Sequence, residues 1–313
     1  MTATRNIPLV PLRARLKRLQ PLVGNTPLVE IRNLWQKPGV RLFAKLEWQQ
    51  FGGSVKTRPA FEIIRRAVEN GALTPGKHLL DATSGNTGIA YAAIGAALGI
   101  PVTLCLPENA SRARIRILRS LGAELILTSK LEGTDGAQQR ARSLAEEHPN
   151  RFFYADQYAN PNNWKAHQNG TAREIWDQTQ GRITHFVAGL GTTGTFTGTT
   201  RGLKARNPEV RCIALQPNNP MHGLEGWKHL ETAIVPKIFD HTLPDEVLEV
   251  DTLEAYDMVR RLAAEEGLLV SPSAAANLLG AMEVARRLDR GVVVTTFADN
   301  AEKYEEVMEE IFR

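Results

Sequence analysis

Apolar positions along the chain fall into short runs that alternate between two periods. VRLFAKLE (40–47), HLLDAT (78–83), IPVTLCLP (100–107), ELILTS (124–129) and RFFYADQ (151–157) read as buried strands. So do ITHFVAG (183–189), VRCIALQP (210–217) and VVVTTFA (292–298). Between them the spacing changes to that of a helix. TRPAFEIIRRAVENG (57–71) is amphipathic and ends on Gly71, and NTGIAYAAIGAALG (86–99) is a small-residue helix. Further helices are predicted over 111–122 with a Ser111 cap, 135–149, EIWDQT, 195–206, 254–267 and 273–288. An acidic helix closes the chain.

Strands separated by helices predict an α/β protein with parallel sheets covered on both faces. The rhythm breaks once, near YANPNNWKAHQ (158–168), a stretch rich in Asn and Pro. With 313 residues, and about 150 residues per domain as a guide, two α/β lobes around a cleft are expected.

Composition then narrows the class. At 42% hydrophobic and 23% charged, the chain is neither disordered nor a bundle of membrane spans. The uncharged stretch 89–106 has the length of a membrane helix, but Gly99 and Pro101 divide it into a helix and a strand. Arg5, Arg13, Arg15, Lys17 and Arg18 make the N-terminus basic; with Pro8, Pro11 and Pro21 among them, a basic arm leading into the fold is a better reading than a transit peptide. The net charge of +4 is too small to imply nucleic acid. Arg112, Arg116 and Arg119 share one helical face, which reads as solvated. Cys105 and Cys212 both lie in apolar strand-like runs, so buried thiols and a reducing cytoplasm are expected. The seven histidines show no metal spacing, and no metal site is expected.

Three glycine-rich or hydroxyl-rich turns carry candidate chemistry. GLGTTGTFTG (189–198) follows a strand and opens a helix, and satisfies G-x-G-x-x-G. A dinucleotide site needs an acid at the end of the next strand, yet that strand ends Leu215-Gln216-Pro217. What remains is a helix N-terminus with close-approach glycines and the hydroxyls of Thr192, Thr193 and Thr195, a cradle suited to a monophosphate. DATSGNTGIAY (81–91) gathers Thr83, Ser84, Asn86 and Thr87 at a second helix start, where a carboxylate can bind. QQFGGSVKTRPAFE (49–62) sets Lys56 at the positive end of a helix, which disfavours its charged form.

Taken together, GNTPLV (24–29), GSVKTR (53–58), TSGNTG (83–88) and GTTGTFTG (191–198) resemble the fold-type II pyridoxal-phosphate enzymes, and specifically the cysteine synthases; GAELIL, EIWDQTQGRITHFVAGLGTTGT and the stretch around LQP resemble their B branch. The resemblance runs from about residue 20 to 300. It implies a two-lobed fold like that of the tryptophan synthase β chain: residues 1–47 as an arm and first strands belonging to the larger lobe, 48–157 as the smaller lobe, and 158–313 as the larger cofactor-binding lobe. It implies pyridoxal 5′-phosphate held as a Schiff base by Lys56, with Asn86 on the ring hydroxyl and Gly191, Thr192, Thr193, Gly194 and Thr195 around the phosphate. Thr83, Ser84, Thr87 and Gln157 match the site for the substrate carboxylate. Either Ser271 or Ser273 matches the serine facing the pyridine nitrogen; Ser273 reads equally as a helix N-cap. The implied reaction is β-replacement on an O-activated L-serine by a sulfur donor (sulfide, thiosulfate or a protein thiocarboxylate), through an aminoacrylate, in a cytoplasmic homodimer.

Some positions depart from the pattern. Thr57 stands where the family usually has Asp, and Ser271-Pro272-Ser273-Ala274-Ala275 replaces a Ser-Ser-Gly-Ala type of sequence. FADNAEKYEEV (297–307) keeps only Asp299, Lys303 and Tyr304 of the usual segment. Rival readings are serine/threonine dehydration, cystathionine synthesis, and a catalytically weak homologue with a binding role; the intact Lys56 argues against the last. In NNPMHGLEGWKHL (218–230), His222, Lys228 and His229 read as a plain loop near the mouth of the site.

Overall fold

The computed structural model describes residues 11–83 and 85–313. The strands are β1 (Leu28–Glu30), β2 (Val40–Leu46), β3 (His78–Ala82), β4 (Val102–Pro107) and β5 (Glu124–Thr128). They continue with β6 (Phe152–Tyr154), β7 (His185–Gly189), β8 (Arg211–Pro217), β9 (Glu246–Val250) and β10 (Gly291–Phe297). The helices are α1 (Leu12–Leu19), α2 (Thr57–Glu69), α3 (Asn86–Leu98), α4 (Arg112–Ser120), α5 (Gly133–Glu147) and α6 (Asn162–Ala166). After them come α7 (Ala172–Gln178), α8 (Gly194–Lys204), α9 (Thr252–Arg261), α10 (Pro272–Arg286) and α11 (Glu305–Ile311).

Two sheets result, ordered β1-β2-β10-β7-β8-β9 and β5-β4-β3-β6. Every pairing is parallel except β1 with β2. Because side chains alternate across a strand, each sheet buries residues on two faces. In β10, Val293 packs on the α9–α10 side and Val294 on the α7–α8 side. The smaller sheet is covered by α1, α2, α3 and α4 on one face and by α5 on the other. Between α3 and β4 the chain turns through Gly99 at φ +69°, a left-handed helix end that favours glycine. Among the described residues, no helix is long and apolar enough to cross a membrane.

Two expectations are corrected. The helix 12–19, assigned from sequence to the larger lobe, buries Leu16 and Leu19 with Ile64, Ile94 and Leu98 against the smaller sheet. The break at 158–168 is helical from Asn162 onward, because Pro161 sits just before the first turn, where its missing N–H costs nothing. Ser111 occupies its cap position, but its hydroxyl makes no capping bond.

A buried ionic cluster joins α2 to the larger sheet. Arg58 pairs with Glu47 at 2.6 Å and with Glu174 at 2.7 Å, and Lys45 pairs with Glu174 at 2.8 Å. The Thr26 hydroxyl donates to Glu47 at 2.7 Å. Burial alone pushes the Glu174 carboxyl up, but Arg58 and Lys45 outweigh it and hold the group below the usual carboxylate range. Glu174→Ala leaves two buried cations short of a partner, so it should lower the unfolding free energy by about 3–5 kcal/mol in urea titrations. A loss below about 1 kcal/mol, the value of an exposed pair, would show that the cluster does not anchor α2.

Candidate active site

The loops that follow β2, β3, β6, β7 and β10 all leave the carboxyl ends of parallel strands, where open α/β sheets place ligands. They enclose a cavity of about 310 Å³. Lys56, Thr83, Asn86, Thr87, Gln157, Gly191, Thr192, Thr193, Thr195 and Ser273 share its wall. Ser84 lies outside the described residues.

Lys56 immediately precedes α2, reached through Gly52 and Gly53 at φ +81° and +66°. Its own N–H donates to Ser54 Oγ at 3.3 Å. The Thr57 hydroxyl, where the family pattern has a carboxylate, donates to the Phe51 carbonyl. Lys56 is half-buried and its free surface faces the cavity. Desolvation there pushes the amine below the ordinary lysine range, and the opposing charges of Asp299 and Glu47 do not reverse this.

On the opposite wall the Thr87 hydroxyl donates to Gln157 Oε1 at 2.7 Å, and Gln157 Nε2 donates to the Ala82 carbonyl at 3.2 Å. Beneath them lies the fully buried Asp81. Its two oxygens accept the N–H groups of Ala82 at 2.8 Å and Gln157 at 3.3 Å. Burial pushes its carboxyl up to about 7, with the charge of Asp156 adding to the effect and the two N–H bonds opposing it.

The turn into α8 places Thr193 at φ +68°, a left-handed conformation that costs a β-branched residue on the order of 1–3 kcal/mol. Its buried Oγ1 has no partner among the described residues. A Cβ on Gly191 would fall 2.0 Å from the Gly226 carbonyl, so the loop 223–228 lies directly on this turn. Gly194 starts α8 but does not reach the cavity wall, because it packs against Asn163. Asn277 ties the two strand ends together: its Oδ1 accepts from Gly189 N–H and its Nδ2 donates to the Thr296 carbonyl, both at 2.8 Å.

The two serines at the start of α10 separate cleanly. Ser271 is the N-cap, accepting from Ala274 N–H at 3.3 Å behind the wall, whereas Ser273 lines the cavity. The N-cap reading of Ser273 is thus corrected. The two hydroxyls lie 3.2 Å apart.

The segment after β10, which departs most from the family pattern, enters the site. Asp299 Oδ2 accepts from the Tyr304 hydroxyl at 2.6 Å and from Asn86 Nδ2 at 2.7 Å. Lys303 donates to the Gly53 carbonyl at 2.6 Å and to Asn86 Oδ1 at 3.2 Å. Asp299 is fully buried, and its Oδ1 has no partner among the described residues. Arg114, on the buried side of α4, pairs with Glu225 and lies 4.8 Å over the Tyr304 ring. Arg112, Arg116 and Arg119 are exposed. Arg114, Glu225, Trp227, Asn277 and Asp299 line the cavity without having been singled out as site residues from sequence. The SAAAN stretch, the persistence of Asp299 and the placing of the 218–230 loop near the mouth hinted at all of them but Arg114. Lys228, read as part of a plain loop, also lines the mouth, 5.2 Å from the Tyr158 ring.

Residues 19–299 match the family model described as pyridoxal-phosphate dependent enzyme. The chain is 48% identical to a cysteine synthase of Aquifex aeolicus over 94% of this chain and 92% of that protein. It is 41% identical to a cysteine synthase B of Pseudomonas aeruginosa, over 90% and 93% respectively. Among solved structures, a cysteine synthase of Entamoeba histolytica superposes with a TM-score of 0.88 at 30% identity, covering 100% of this chain and 93% of that one.

The Asp81 geometry fixes a pH dependence. Between about pH 4 and pH 7 the unfolded carboxyl has released its proton while the folded one still holds it, so this group makes stability fall as pH rises through that window and level off above it. Denaturation midpoints of wild type and Asp81→Asn across pH 4–8 should show that slope in the wild type only. Parallel profiles would remove Asp81 as its source.

Proposed function

The chain belongs to the pyridoxal-phosphate dependent enzymes, and we propose that it forms L-cysteine from an O-activated L-serine (O-acetylserine or O-phosphoserine) and a sulfur donor. One observation carries this reading: Lys56, the Thr83 and Thr87 hydroxyls, the Asn86 amide, Gln157, Gly191, Thr192, Thr193, Thr195 and Ser273 face one cavity.

The residues present fit pyridoxal phosphate. The first N–H groups of α8 and the unpartnered Thr193 hydroxyl suit its phosphate, a dianion at a helix N-terminus. When bound, the cofactor draws electron density from the substrate's α-carbon and acidifies its hydrogen.

The chain's own groups do the rest. Lys56, whose charged form burial disfavours, takes the α-proton at Nζ, and the nearby Asp299 charge accommodates the ammonium so formed. Thr83, Thr87 and Gln157 hold the substrate carboxylate, together with Ser84. Asn86, with one amide hydrogen engaged by Asp299, offers the other to the ring hydroxyl. Ser273 faces the pyridine nitrogen without a fixed negative charge, which favours loss of the β-substituent over a long-lived carbanion. In this reading residues 48–157 hold the substrate, and 158–313 with the first strands hold the cofactor. The two buried free thiols suit a reducing cytoplasm, and the active form is a homodimer. Sulfide, thiosulfate and a protein thiocarboxylate are the candidate donors.

Purified protein should show the visible absorption of lysine-bound cofactor, shifting on addition of O-acetylserine or O-phosphoserine. Each donor is then assayed in turn for cysteine. Lys56→Ala should abolish the native band and cut turnover by about 10²–10⁴-fold or more. A wild-type band that neither ester moves would sink the cysteine-forming assignment and favour another β-elimination or replacement.

A further inference from the structure

Gly194, Gly198 and Gly202 recur every fourth residue along one face of α8. A Cβ at each would fall 1.9 Å from Asn163 Oδ1, 2.0 Å from the Trp164 carbonyl and 2.4 Å from Ala172 Cβ. The helix opposite therefore lies directly on the α8 backbone, a close approach that only small residues permit. That opposite helix does not run evenly. Between α6 and α7 it widens into a π turn, His167–Thr171. Such turns insert an extra residue and concentrate at functional positions.

The residue that opens the widened turn is a buried histidine. His167 Nδ1 lies 2.9 Å from Thr171 Oγ1, and Nε2 lies 3.3 Å from Thr195 Oγ1. Burial pushes this imidazole well below its ordinary range, and the charges of Arg58 and Lys56 push the same way while Glu174 opposes them. Burial favours the neutral ring, which has one hydrogen to place. If Nδ1 carries it, Nε2 must accept the Thr195 hydroxyl hydrogen, and an anion in the cavity meets only an oxygen lone pair. If Nε2 carries it, Nδ1 accepts from Thr171, and Thr195 keeps its hydrogen for the cavity.

We propose that His167 is a positioning residue for the phosphate-binding turn: as the Nε2–H tautomer it donates to Thr195 Oγ1 and so leaves the Thr195 hydroxyl hydrogen directed at the cofactor phosphate. This rests on the assignment of Thr195 to the phosphate site. The glycine stripe brings the two helices close enough, and the π turn supplies the residue that reaches across.

The test titrates pyridoxal phosphate into cofactor-free protein without substrate, with pyridoxal, which has no phosphate, as the second probe. His167→Leu and Thr195→Val should each weaken pyridoxal phosphate binding roughly tenfold, the size of a hydrogen bond to a charged group. The double variant should be no worse than the weaker single one, and pyridoxal affinity should change by less than about twofold, because only the phosphate contact is lost. His167→Gln, which restores an N–H donor, should recover most of the loss. In ¹⁵N-histidine spectra of the wild-type protein, Nε2 of His167 should carry the proton from pH 5 to 8. Losses that multiply in the double variant, an equal loss for pyridoxal, or a proton on Nδ1 would each overturn the proposal. The spectra of the wild-type protein decide the matter even where the leucine variant does not fold. A wild-type protein that binds the cofactor but makes no cysteine would leave this inference standing while removing the proposed reaction.

Discussion

The buried quartet of Lys45, Glu47, Arg58 and Glu174 is the constraint on which the rest of the molecule depends. Arg58 lies two residues beyond Lys56, so whatever fixes the guanidinium fixes the start of α2 and with it the amine. Two of its partners, Glu47 just past β2 and Glu174 in α7, belong to the larger sheet's layers, while α2 buries its apolar face against the smaller sheet. Four charges out of water are tolerated only if every one is paired and hydrogen-bonded. The cluster therefore has no half-formed version of low energy. The lysine is held because its neighbour two positions on cannot be released.

The same desolvation acts on the site in two directions. It raises the carboxyl of Asp81 and the phenol of Tyr304 and lowers the amines of Lys56 and Lys303. In every case the uncharged form gains. The site thus holds an amine able to accept a proton within an environment that resists charge, and Asp299 supplies a nearby negative group on the same wall, where the other carboxylate, Glu225, is paired with Arg114.

Much of this fold was legible because its strands are buried on both faces and read as unbroken apolar runs. β9, EVLEV, was missed for the opposite reason. It is an edge strand with alternating exposure, and its glutamates conceal it. The part of the 162–178 helix before EIWDQT was hidden by Asn and Pro at its start and by the widened turn, which breaks the 3.6-residue period at His167. The turns at 52–56, 83–87 and 191–195 were visible because tight strand-to-helix connections concentrate glycine and hydroxyl residues. Arg114, Glu225 and Asn277 left no such mark, although the 218–230 loop and the SAAAN stretch pointed to the neighbourhood of the last two. Each sits in a helix or loop of ordinary composition and reaches the cavity only through tertiary packing. Between Ser271 and Ser273, sequence had no means to choose, since two residues apart on an incipient helix differ by more than half a turn in direction.

β10 is the last strand among the described residues, yet it lies between β2 and β7 in the interior of the larger sheet. The residues that follow it, Asp299, Lys303 and Tyr304, grip Asn86 more than two hundred positions earlier. A ribosome making this protein can complete the smaller sheet well before β10 emerges, but the larger one has a missing centre until β10 is made. Until then the polypeptide carries an open seam with two unpaired strand edges, those of β2 and β7, and the cavity gains its last wall only when the segment after β10 slots in.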